Sequence, residues 1–110
     1  MQRNYRQGEV LIFEVPIKER KNRYPKGWQK KAKAVKDNVI IEGELAGHKH
    51  EVINGKLYDH PKKKDIMVLE AKKGCIIIHP EHDPIPVPVG TFEIKIQREY
   101  SSKGARKVKD

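Results

Sequence analysis

An all-β protein, folded as a small antiparallel barrel or sandwich of about seven strands, is what this sequence predicts. Three observations lead there. The apolar residues fall in short runs rich in Val and Ile, each bounded by Gly, Pro or charge, which is the signature of strands. The stretch from Thr91 to Tyr100 alternates cleanly, with Phe92, Ile94 and Ile96 on one side and Thr91, Glu93, Lys95 and Gln97 on the other. No window carries a convincing helical period.

The first strand is Glu9 to Val15, ended by Pro16. A basic excursion, residues 18–37, follows as a loop or short helix, the helix being expected around Lys30 to Lys36. The run from Asn38 to Gly47 then sets Val39, Ile41 and Leu45 on one face and Glu42 and Glu44 on the other. His50–Ile53 and Lys56–Asp59 flank Asn54-Gly55, the strongest short hairpin signal available. Asp65–Ala71 and Gly74–His79 come next, joined at Lys72–Gly74. Four prolines at 80, 84, 86 and 88 keep the following segment out of any central strand, because proline lacks the ladder donor. A stiff, extended connector to Thr91 is expected. Residues 1–110 read as one β domain with a basic tail over 101–110.

Composition narrows the function. Apolar residues make up 36% and charged residues 35%, as in a folded body with solvated extensions. The single cysteine, Cys75, excludes an internal disulfide, fits a reducing compartment and reads as a small buried apolar residue. No stretch approaches the roughly 20 apolar residues of a membrane span, and the opening MQRNYRQGE lacks the apolar core of a signal peptide. A cytoplasmic protein with no membrane partner is expected; self-association into a homo-oligomer is left open.

The net charge of +9 is concentrated. Lys18 to Lys36 holds nine basic residues and one acid, Glu19, so this run alone supplies +8. Such a field attracts polyanions, of which RNA is the expected partner. Lys21, Arg23, Lys30 and Lys31 would neutralise phosphates, and Tyr24 and Trp28 would offer bases a stacking surface. Trp28 serves equally well as a cap on the core.

All five histidines lie between Gly47 and Ile85. His48 and His50 share a strand face if that segment is extended. His79 closes an apolar strand on the inward parity of Cys75 and Ile77, and His82 follows in the turn. Together they suit a divalent ion that accepts nitrogen ligands, Zn, Mn, Fe or Ni, with Glu51, Glu81 or Asp83 nearby as a further ligand or base. Without a metal, a neutral and a protonated imidazole flanking a phosphate are the acid–base pair of a ribonuclease. His60, before Pro61, reads as a loop residue. Arg98 and Tyr100 continue the inward parity of the last strand, where the arginine forms either a buried ion pair or a phosphate clamp.

"GELAGHKHEV" followed by "HPEHDPIPVPVGTFEIKIQREY" resembles a family of small uncharacterised bacterial, archaeal and phage proteins. That family's pattern runs G-E-x-x-G-H-x-H, then H-x-E-H-x-P-I-x-x-P-x-G-x-Y-x-x-x-x-Q-R-E-Y. The resemblance implies a shared site around His48, His50, His79 and His82. "HKH" and "PVG" are also similar to cupin motifs, which implies a metal in a small barrel, although Glu93 stands where cupins carry their last histidine. The expectation is thus a small RNA-binding β protein with a histidine-lined site able to cleave phosphodiesters. The alternatives are a non-catalytic nucleic-acid-binding or ribonucleoprotein or phage-assembly component, and a cupin-like metal-dependent small-molecule enzyme.

Overall fold

The computed structural model describes residues 2–43, 47–101 and 104–107, with side chains for 2–43 and 47–97. The expected strands are present, and additional short ones bring the described residues to twelve, paired antiparallel throughout. Strands β1 (Asn4–Gln7) and β2 (Val10–Glu14) form a hairpin and β3 (Lys33–Ala34) follows the basic excursion. Then come β4 (Val39–Glu42), β5 (Lys49–Ile53), β6 (Lys56–Asp59), β7 (Met67–Ala71), β8 (Cys75–His79), β9 (His82–Val87) and β10 (Gly90–Ile96). Strands β11 (Arg98–Ser101) and β12 (Gly104–Lys107) make a separate hairpin.

The other ten strands form two sheets, ordered β1-β2-β10-β7-β6-β3 and β4-β5-β8-β9. Of the two expected architectures this is the sandwich. Val10, Ile12, Leu57, Leu69, Phe92 and Ile94 of the larger sheet meet Val52, Cys75, Ile77 and Val87 of the smaller in one core, as alternation requires. Along β10, Phe92 and Ile94 enter this core while Glu93 faces away.

The chain fills the sheets in hairpins that change sheet. After β4 and β5 in the small sheet it passes to β6 and β7 in the large one, returns for β8 and β9, and ends in β10. Asn54-Gly55 therefore does not close a hairpin, as its sequence suggested: β5 pairs with β4 and β8, whereas β6 pairs with β3 and β7. It is the corner where the chain crosses between layers, with Asn54 at φ 65°. The link through Lys72–Gly74 is another such crossing.

Two further expectations change. The alternation over Val39, Ile41 and Leu45 is broken by a bulge, because Val39 pairs with Glu51 and Ile41 with His50. The extra residue, Ile40, is buried beside Ile41; Glu44 and Leu45 lie outside the described residues. The proline segment is not a free connector. Its middle is β9, an edge strand, the place in a sheet that tolerates Pro84 and Pro86.

The excursion's helix, α1 (Ile17–Arg23), lies earlier than Lys30 to Lys36, where a short 3-10 turn (Trp28–Lys31) and β3 stand instead. Pro16 precedes α1, Glu19 sits in its first turn and Arg20, Lys21 and Arg23 in its last, as the helix dipole favours. Glu19 and Arg23 add an i,i+4 pair at 2.6 Å. None of its residues is buried, so there was no apolar stripe to read. Tyr24 and Trp28 anchor it, packing with Val15 and Val68 in a second cluster. Val68 and Leu69 are neighbours on β7 and point to opposite faces, so this cluster covers the outer face of the large sheet.

Candidate metal centre

His50 follows the inward parity of Val52 on β5 and is wholly buried, at 0% exposure. His79 ends β8 in line with Cys75 and Ile77 and is buried too. His82 opens β9 directly across from His79 because of a second bulge: Ile77 pairs with Ile85, but His79 pairs with His82. One extra residue on β9 turns His82 toward the other rings, which is what bulges near functional sites do.

The rings meet at one end of the sandwich. Centroids of His50 and His79 lie 4.3 Å apart, His79 and His82 4.6 Å, and His50 and His82 5.7 Å. His48, just before β5, stands farther out: its ring is 5.9 Å from His79, and its Nδ1 is 3.6 Å from Glu81 Oε1. Glu81 and His48 are both partly exposed and mark the open side of the cluster.

Hydrogen bonding fixes how the two inner rings present themselves. The Gln7 amide nitrogen donates to Ile77 O at 3.0 Å and Asp83 O at 2.9 Å. Carbonyls only accept, so this orients the amide and makes its Oε1 the acceptor facing His50 Nδ1 at 2.8 Å. His50 thus carries a proton on Nδ1, which leaves Nε2 as the nitrogen it can offer as a ligand. His79 Nδ1 accepts from the Glu81 amide at 3.0 Å, which places the proton of its neutral ring on Nε2. Ligation by that nitrogen requires the proton to move to Nδ1 and the Glu81 amide to be released.

One ligand nitrogen each from His50, His79 and His82 can be chosen with all three within 4.8 Å of one another. Tetrahedral coordination at about 2.0–2.1 Å puts nitrogens roughly 3.3 Å apart. A metal held here would need the three nitrogens to close to that spacing. Catalytic zinc-type centres keep three protein ligands and an open fourth position, whereas structural ones close all four. Cys75 is not part of it; burial pushes its thiol up to about 11.

The other candidate residues distribute differently. Lys21, Arg23, Lys30 and Lys31 are exposed, but Arg23 is taken up by Glu19 at 2.6 Å and Glu93 at 3.4 Å. Tyr24 and Trp28, each 7% exposed, cannot stack on bases. Tyr24 instead donates to Glu93 at 2.5 Å, and burial raises its pKa further; Trp28 packs edge-on to Tyr58. The aromatic anchors of the basic segment pack on the outer face of the large sheet, whereas His50 and His79 project to the inner side, between the sheets. Arg98 and Tyr100 sit on β11, beyond a break at Gln97 that ends the parity used to orient them; their side chains lie outside the described residues. His60 is a loop residue whose Nδ1 accepts from the Lys62 and Lys63 amides, both at 3.0 Å.

Gln7 is the residue the sequence reading missed. Its strand, Asn-Tyr-Arg-Gln, has no apolar alternation; the remaining signal is an uncharged polar residue immediately before the Gly8 turn.

Residues 6–97 match a family model described as "Domain of unknown function (DUF8820)". No curated protein and no solved structure matches the chain.

Proposed function

The chain belongs to the DUF8820 family, and we propose that it is a metal-dependent hydrolase of phosphodiesters centred on His50, His79 and His82. The observation that carries this reading is the convergence of those imidazoles, two of them buried, beside the partly exposed His48 and Glu81. A bound divalent ion supplies Lewis acidity that none of these side chains possesses. His50 and His79 hold it from inside, where water is scarce and charge interactions are strong. Glu81, held near His48, takes the proton of the attacking water at the open side. The positive net charge favours an anionic substrate. Cleavage by two free imidazoles has less support, because a wholly buried His50 cannot touch a polymer.

A second reading rests on the outer face of the large sheet. With Tyr24 and Trp28 turned into the fold, the excursion presents exposed Lys18, Lys21, Lys26, Lys30 and Lys31, none ion-paired among the described residues. This suits sequence-independent contact with a nucleic-acid backbone, independently of the histidines.

Elemental analysis of the purified protein, followed by titration with Zn and Co, should give one ion per chain. His50→Ala and His82→Ala should each abolish it. Labelled single-stranded RNA should be cut by the metal-loaded protein and not after chelation. Occupancy below about 0.2 equivalents after loading would end the metal reading, and a loaded protein that leaves RNA intact would end the phosphodiesterase reading.

A further inference from the structure

We infer that Gln7 is the positioning residue of the histidine centre, selecting Nε2 of His50 as its ligating nitrogen. This deepens the metal reading and rests on it only for the consequence in affinity. A neutral imidazole has two tautomers, and the one present is set by what its other nitrogen meets. Here that partner has no freedom. The Gln7 amide is pinned by two carbonyls of different strands, Ile77 on β8 and Asp83 on β9, which flank the bulge that brings His82 across from His79. Flipping the amide would set its oxygen against both carbonyl oxygens, and this alone fixes its orientation. Gln7 therefore does two things through one side chain: it keeps the His50 proton on Nδ1, and it braces the bulge that orients His82.

It also joins the two sheets at this corner. Gln7 belongs to β1, an edge strand of the large sheet, whereas His50, Ile77 and Asp83 belong to the small one. Tyr5, two residues earlier on the same face, packs on the main core. The ring orientation is thus referenced to the packing of the sandwich and not to the loop before β5 alone.

The test begins on the metal-free wild type. Long-range ¹H–¹⁵N correlation spectra of the histidine rings should show His50 protonated on Nδ1 and unprotonated on Nε2. Gln7→Met removes the acceptor and the brace; the His50 tautomer should become mixed and zinc affinity fall by about 10- to 100-fold, the range for loss of a second-layer partner. Gln7→Glu keeps an acceptor for Nδ1–H and should retain the tautomer while losing the bonds to Ile77 and Asp83. A wild-type His50 carrying its proton on Nε2 would overturn the inference, as would a folded Gln7→Met protein with wild-type spectra and affinity. If a variant fails to fold, the wild-type spectrum decides alone. A wild type with the expected tautomer but no zinc binding would refute the metal reading and leave the positioning role standing.

Discussion

A Cβ placed on Gly55 would meet Val52 Cγ1 at 2.9 Å and Cys75 Cβ at 3.0 Å. Both neighbours belong to the core beneath the crossing from β5 to β6, so they have little room to yield. Gly55→Ala should cost about 1–3 kcal/mol, read by urea denaturation. The dipeptide Asn-Gly pointed to a hairpin; it could not announce that the chain changes sheet there instead. The Cys75 thiol beside it is buried and its pKa raised to about 11 from 9.0, so at a pH of about 8 it should resist alkylation until the protein is unfolded. His60 gives the opposite sign of pH dependence. Burial first, then Lys63, lowers its pKa from 6.5, so the fold favours the neutral ring. Its contribution is complete above 6.5 and is lost as pH falls through the lower folded value. A His60→Asn protein should therefore lose stability less steeply than wild type on acidification from about pH 7 to 5, in parallel denaturation series.

Among the elements, α1 and the turn after it depend on two rings. The helix has seven residues and buries none, too short to persist alone; what holds it is Tyr24 and Trp28 seated on Val15 and Val68. Trp28→Ala should cost about 3–5 kcal/mol and free a segment dense in Lys and Arg, so trypsin should cut it within residues 18–36 far faster than wild type. Sequence placed the basic residues and the aromatic pair but not their orientation, because a helix without an apolar stripe looks like a loop. Strand β1 was hidden for a related reason: it is polar, and its inward glutamine serves by hydrogen bonding, which leaves no hydropathy signal. His50 and His79 were legible because a period of two puts each on the inward side of its own strand. The bulge that turns His82 was not, since nothing local marks an extra residue in β9.

For the whole molecule, the all-β antiparallel class was readable from the Val- and Ile-rich runs, whereas the order of strands was not. Hairpins that alternate between sheets are fixed by contacts far apart in sequence, whereas the basic excursion leaves and rejoins the large sheet and seats Tyr24 and Trp28 on its outer face. Replacing Lys18, Lys21, Lys30 and Lys31 together should weaken RNA binding and flatten its dependence on salt, by a slope change of about three to four, while metal occupancy stays at the wild-type value. Equal loss of both would show that the two faces are coupled. Strand β9 adds a consequence beyond the site it helps to build. It is the rim of the small sheet, and Pro84 and Pro86 share one parity along it; their ring nitrogens, unable to donate, belong on its outer margin. A stray strand arriving there finds alternate donors missing and gains no ladder. Along this rim, next to the histidines, the prolines thus discourage a second chain from extending the sheet.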